Sequence, residues 1–335
     1  MRLCARRGWR LRRLSSAARG GVLWGGEALC YAQFNIAKRR EGSMMVVTRL
    51  AAGVLVSLSF AGAAVAQVEP DGIGLAAIHL PGVVAPVQPT GRAAIENAET
   101  NLSLAVNVQH LQYSEQYHDS ENGFVPGFTL GGSYLRPGVV WPVQGDLYDA
   151  VSYQFNDGSL TYHGSNLLTN APLSFSHATT MNRFEARIGM GLPVSQTMII
   201  PFLAAGYQTW NRNIDNETYR GILLGGGLRF DAALAPRTVV YVEAEGLGIL
   251  GTHINGKIYD PYLNANLAYS SDMGSSVEER LGAGVDEAVF ARTHLFLNGY
   301  WSHFNWAGSK ANYGVYEPLS SSTEFGLNLG ASYAF

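Results

Sequence analysis

The ionisable residues of this chain recur at a spacing that narrows the chemistry they could do. Arg183, Glu185 and Arg187 occupy alternate positions of one short stretch. Arg229, Glu243, Glu245, Glu278, Arg280, Asp286 and Glu324 sit in comparable stretches among small and apolar neighbours. Alternate side chains of an extended strand point to opposite faces, so these residues are expected to share one inner surface. Both signs of charge occur on neighbouring segments. Two uses fit: a polar pore or proton-linked site, or a salt-bridged network filling the interior in place of an apolar core. The eight histidines show no metal-ligand spacing such as His-x-x-x-His, and no cofactor or metal is expected. Both cysteines, Cys4 and Cys30, precede the export signal described below. The mature chain would then have no thiol nucleophile and no disulfide.

The elements that must hold these charges are strands. Charged residues make up 15% of the 335 residues, against about a quarter in soluble proteins, yet only one long apolar run exists. Apolar residues must therefore be dispersed in alternation. The last segment is the clearest case. Thr323, Phe325, Leu327, Leu329, Ala331, Tyr333 and Phe335 alternate with Glu324, Gly326, Asn328, Gly330, Ser332 and Ala334. The same pattern runs through Leu102–Val108, Phe184–Met190, Ile222–Phe230 and Leu281–Val285. Ten strands are expected, near 100–113, 127–135, 145–155, 181–190, 198–211, 219–231, 237–250, 277–288, 292–307 and 322–335. Eight remain possible if two are loops, and twelve if 159–163 and 262–270 are added. Connections alternate between longer (114–126, 156–180, 212–218, 251–276, 308–321) and shorter (136–144, 191–197, 232–236, 289–291). That asymmetry is what a membrane barrel shows between its outer loops and periplasmic turns. Pro126, Pro172, Pro261 and Pro318 fall in the longer set, and Pro137, Pro142, Pro193 and Pro236 in the shorter.

The expected fold is all-β: a transmembrane antiparallel up-and-down β-barrel over 100–335. Hydrocarbon offers no partner for an edge strand, so the sheet must close. Trp210, Tyr219 and Trp306 are candidates for an outer aromatic belt, with Tyr134, Phe230, Tyr333 and Phe335 for an inner one. The ten alternating charges then become a lumen network. The expected partners are outer-membrane lipids and lipopolysaccharide around a monomer. Nucleic acid is not among them: 23 basic against 26 acidic residues leave a net charge of −3.

The N-terminus carries an export signal. A basic start at residues 44–49 precedes an uncharged run from Leu50 to Ala66, which ends in Ala64-Val65-Ala66. This small-x-small ending marks signal-peptidase cleavage, placed before Gln67. The signal peptide is thus 44–66. Residues 1–43 do not fit it and are expected to be a non-native upstream extension, with translation starting at Met44 or Met45. An N-terminal peptide of the unprocessed precursor beginning before Met44 would refute this. Proline-rich residues 67–99 are expected to be a flexible periplasmic segment.

The tail Leu327-Asn328-Leu329-Gly330-Ala331-Ser332-Tyr333-Ala334-Phe335 resembles the closing strand of bacterial outer-membrane β-barrel proteins. The resemblance implies the cell outer membrane of a Gram-negative bacterium, and recognition by the barrel-assembly machinery through Tyr333 and Phe335. Gln112-Tyr113-Ser114-Glu115, Ile200-Pro201-Phe202-Leu203-Ala204-Ala205-Gly206-Tyr207 and Tyr316-Glu317-Pro318 with Ser322–Leu327 resemble a small, about ten-stranded subgroup of that family, over roughly 100–335. The salt-bridged lumen and long outer loops lead to the expectation of a structural or surface-interaction role; a small porin-like channel and a lipid- or peptide-modifying enzyme are the alternatives. Ser302-His303-Phe304-Asn305 faintly resembles the His-x-Ser motif of lipid A deacylases, but Asn305 stands where that family has its serine. An omptin-like hydrolase would need rim aspartates with a histidine; Asp215, Asp260, Asp272 and His253 lie in expected outer loops without a recognisable pattern. A non-enzymatic protein is the primary expectation.

Overall fold

The computed structural model describes residues 91–116, 119–140, 143–165, 171–214, 216–260, 265–310 and 316–335. The expected upstream extension and signal peptide, with the expected cleavage site at Ala64, Ala66 and Gln67, lie outside them. One helix, α1 (Gly91–Ala98), leads into strands β1 (Asn101–Glu115), β2 (Ser120–Arg136), β3 (Val139–Val140), β4 (Val143–Gln144), β5 (Asp146–Ser165), β6 (Pro172–Val194) and β7 (Thr197–Arg212). Then come β8 (Glu217–Ala235), β9 (Thr238–Asp260), β10 (Ala265–Asp272), β11 (Ser276–Ala288), β12 (Thr293–Trp306) and β13 (Ser320–Ala334). The pair β3–β4 is a small separate hairpin in a periplasmic turn.

Ten strands close one barrel in the order β1-β2-β5-β6-β7-β8-β9-β11-β12-β13, and β13 pairs back to β1. The long register from Asn101↔Ala334 to Glu115↔Ser320 zips the first strand to the last. Closure satisfies the backbone groups that hydrocarbon could not. Strand β10 is no eleventh stave. It folds back on the outer end of β9 as a hairpin, from Ala265↔Asp260 to Asp272↔His253. The expected ten strands are all present.

Alternation sorts the two faces. Leu102, Leu104 and Val106 are exposed on the outside of β1, while Ala105, Asn107 and Gln109 are buried inside. Leu203, Ile222, Leu224, Leu228, Leu281, Phe325 and Leu327 continue the outer apolar band. In water a band of this extent would demand a partner; lipid is the partner that a closed barrel of this kind has.

Four expectations need correction. First, the walls rise further than the apolar alternation. The expected outer loop 156–180 is mostly strand, because β5 runs to Ser165 and β6 begins at Pro172; β9 likewise extends through 251–260. Above the lipid the outward residues turn polar (Asp157, Ser159, Thr161), so hydrophobic alternation fades while the ladder continues. Second, Pro126 lies within β2, not in a loop. The β2–β5 ladder has no pairs between Asn122↔Thr161 and Gly127↔Asn156, so the missing N–H falls in a gap. Pro172 and Pro193 also fall within strand limits, at the two ends of β6.

Third, residues 91–98 of the expected flexible segment form α1, which buries Ala94, Ile95 and Ala98 against Leu135, Tyr148, Met198, Ile200, Ala233 and Val239. These are inward residues near the periplasmic end, so the helix fills that mouth. Fourth, Trp210, Tyr219 and Trp306 are not belt residues. They are 2%, 0% and 1% exposed and point inward. Parity explains the reversal: Leu203 and Tyr207 are outward on β7, which puts Trp210 inside. The inner-belt candidates Tyr134, Phe230, Tyr333 and Phe335 are exposed, and the Tyr134 and Phe335 rings stack at 6.3 Å.

Candidate functional site

The ten charges of the alternating stretches lie on the inner side of the barrel wall, and most are joined. On β6, Glu185 accepts from Arg183 Nη2 at 2.8 Å and from Arg187 Nε at 2.6 Å. Across the barrel, Arg183 Nη1 reaches both oxygens of Glu278 at 2.7 and 2.9 Å. Arg187 contacts Glu243 and Glu245, each at 3.0 Å. Arg229 lies 3.8 Å from Glu243 and 2.9 Å from Asp231, and also pairs with Glu99. Three of the arginines add aromatic faces: Arg187 over Phe202 at 4.6 Å, Arg229 over Tyr241 at 3.8 Å and Arg280 over Tyr300 at 3.9 Å. Removing one partner of such a buried pair leaves an uncompensated charge, which costs about 3–5 kcal/mol.

Two expected members stand apart. Asp286 bonds His294 Nδ1 nearer the periplasmic end. Glu324 accepts from Ser302 Oγ at 3.4 Å. Glu99 and Asp231 are members that the sequence reading missed. Asp231 carried a signal, two positions beyond Arg229; Glu99 carried none, because it precedes the first strand. A polar lattice adjoins the charges: Asn107 donates to Asn328 at 2.7 Å, Asn328 to Asn298 at 2.7 Å, and Gln154 to Tyr300 at 2.8 Å. Between Arg183, Arg187, Arg229, Glu243 and Arg280 remains a polar cavity of about 180 Å³.

Apolar layers lie on both sides of this charged middle. On the periplasmic side is the cluster around α1. On the outer side Leu111, Leu160, Trp210, Leu223, Leu247, Ile249, Phe304 and Trp306 are buried together.

Above that layer lies a second polar cluster, beyond the lipid band. Arg212 is fully enclosed. It pairs with Glu121, donates to Glu217 at 3.0 Å and to the Tyr219 hydroxyl at 2.8 Å. The rings of Tyr113, Trp210 and Tyr219 surround its guanidinium at 5.0, 5.1 and 5.6 Å. Glu317 accepts from the hydroxyls of Tyr113 at 2.9 Å and Tyr219 at 2.8 Å. His177 Nε2 lies 3.0 Å from Glu121. Burial pushes the Glu317 carboxyl up to about 8, with Glu115 and Glu217 adding to the shift. Burial also opposes ionisation of Glu121, but Arg212 and His177 outweigh it and hold that carboxyl below its ordinary range. Tyr113, Glu115 and Glu317 come from two stretches that carry the subgroup resemblance, and only the fold brings them together. No side chain of this cluster was expected in the lumen network.

The residues weighed for hydrolysis divide. His303 points outward, with Nδ1 3.0 Å from Thr323 Oγ1 and its ring stacked on Trp301; no serine stands two positions on. Asp215 lies outside the described residues, as does the side chain of Asp260. Asp272 and His253 do meet, with Oδ1 and Nδ1 2.7 Å apart. Among the described residues no group of three or more acidic, histidine or cysteine side chains is placed to hold a metal ion.

No protein-family model matches the chain, and no curated protein does. Solved structures do resemble it. The outer-membrane protease OmpT from Escherichia coli aligns at 12% identity over 71% of this chain and 97% of its own, with a TM-score of 0.45. The beta domain of the Bordetella autotransporter BrkA aligns at 14% over 70% and 100%, TM-score 0.37. Neisserial surface protein A aligns at 11% over 70% and 97%, TM-score 0.30. At such values no residue role passes from them to this chain. Its own closure, apolar exterior and charged interior make it a transmembrane β-barrel of the bacterial outer-membrane type.

Proposed function

We propose that this protein is a non-conducting outer-membrane barrel that acts through its outer surface. The carrying observation is the order of layers along the lumen: α1 and its apolar cluster, the ion-paired middle, the aromatic layer, then the Arg212 cluster. Ions would have to pass two dry layers and compete with arginines already paired to carboxylates. The walls instead extend above the lipid, where β5–β6 and β9–β10 present polar faces. Such a body suits a structural or surface-interaction role.

The test is planar-bilayer recording of the purified, folded barrel. No unitary conductance steps are expected. Reproducible steps in the folded protein, absent from the unfolded control, would refute the sealed lumen and favour the pore reading.

A further inference from the structure

The outer face of the β9–β10 hairpin carries an arrangement that neither the lumen nor the Arg212 cluster uses. His253 and Asp272 are directly paired in the ladder, and Asn255 pairs with Ser270 one step further out. All four side chains share one face. His253 Nδ1 lies 2.7 Å from Asp272 Oδ1, and its Nε2 lies 2.8 Å from Ser270 Oγ. Ser270 is exposed. From this geometry we infer that Ser270, His253 and Asp272 form a hydrolytic triad on the outer wall, acting on acyl esters at the membrane surface.

Each role follows from an atom. Asp272 Oδ1 accepts a hydrogen bond from Nδ1–H and fixes the tautomer, leaving the Nε2 lone pair facing Ser270. The Ser270 hydroxyl attacks the ester carbonyl as its proton passes to Nε2. The imidazolium returns that proton to the leaving alcohol oxygen as the ester C–O bond breaks, and the acyl group remains on Oγ. Water then attacks the acyl carbon, giving a proton to His253. The free acid departs, and the proton on Nε2 returns to Oγ. The Asn255 amide lies 3.0 Å from the same Nε2. The contacting atom is the amide oxygen, which can accept from the Nε2–H of the imidazolium formed once Ser270 has given up its proton.

The local backbone supports a built site. Gly251 has φ +56°, and the β8–β9 register shifts between Arg220 and Ile222. A bulge of this kind re-aims the side chains beyond it. It turns His253 outward, while Ile254 stays buried. The substrate class follows from what lies around the triad. Leu250 and Ile222 are exposed lipid-band residues just below, and three residues of strand span about 10 Å. Arg220, the ladder partner of His253, and Lys257 are exposed on the same face. The site would hold an acyl ester at the lipid boundary beside an anionic phosphate, a chemistry that phospholipids and lipopolysaccharide share. This goes beyond the surface role proposed above and does not depend on a sealed lumen.

A fluorophosphonate probe applied to the folded barrel in detergent tests it. Label is expected on Ser270, and it should fall on the order of 100-fold or more in Ser270→Ala and His253→Ala, while Ser271→Ala keeps it. Asp272→Asn should slow labelling, with Asp272→Glu restoring it, and heat-modifiable gel mobility should show every variant folded. No label on folded wild type, or label that survives Ser270→Ala, overturns the triad. Fatty acid released from phospholipid vesicles or from purified lipopolysaccharide identifies which source supplies the ester. Release from neither overturns the substrate assignment. Conductance is read separately, so failure of the triad and failure of the sealed lumen are distinguishable.

Discussion

At the residue scale, the charges of this barrel divide by what surrounds them. The arginines of the middle layer are held by two or more carboxylates or by an aromatic face, and they replace an apolar core. Glu317 is different. It is buried with Glu115 and Glu217 nearby, and its carboxyl is raised from an ordinary 4.5 to about 8. A raised acid binds its proton more tightly in the folded state. Its contribution to stability is therefore fully present below about pH 4.5 and is lost as pH rises to about 8. Glu317→Gln keeps an acceptor for both tyrosines and cannot ionise. Urea unfolding of the outer rim, followed by near-ultraviolet circular dichroism, should show wild type losing stability across that window and the variant losing much less. Parallel curves would sink the assignment.

At the element scale, α1 decides whether the periplasmic mouth is filled. Eight residues form a marginal helix in water, so its stability comes from packing. Ile95 is fully buried, and Arg92 reaches both oxygens of Asp146 at 2.9 Å. Ile95→Ala should cost about 2–5 kcal/mol, paid locally by undocking of the helix. Cleavage within 91–98 by an added protease should then accelerate by roughly 30-fold or more, while the barrel itself stays resistant. An unchanged cleavage rate would mean that the helix is held by something other than its apolar face. The β9–β10 hairpin shows another element rule. Strand pairing within one hairpin sets His253 opposite Asp272, and a single bulge chooses their face.

At the scale of the whole molecule, the arrangement is inverted: apolar band outside, ion pairs within, apolar clusters toward both ends. The two faces should therefore respond oppositely to charge. Leu104→Arg places a charge on the lipid face of β1 and should cost about 2–4 kcal/mol if it lies near the midplane. Unfolding from phospholipid vesicles, monitored by tryptophan fluorescence, measures it. A neutral effect would move the band away from Leu104 and undermine the orientation of every strand in register with it.

Much of this was legible in the chain. Period-two alternation identified ten strands, because side-chain parity is a local property of an extended backbone. Parity also held the correct answer for Trp210, Tyr219 and Trp306. They lie out of phase with Leu203, Ile222 and Leu297, and reading them as belt residues gave aromatic type more weight than phase. The ends of β5, β6 and β9 were not legible, because hydrophobic alternation reports contact with lipid, while hydrogen bonding continues above it.

What the sequence determined by itself is the class of object: an exported chain with strands of opposed faces that must close where water is absent. Tertiary structure alone decided the partners. Arg183 finds Glu278, Tyr113 finds Glu317, and Arg229 finds Glu99 across spans of sequence that share no local pattern. Closure and register set those meetings, and neither is written in the neighbourhood of any one residue.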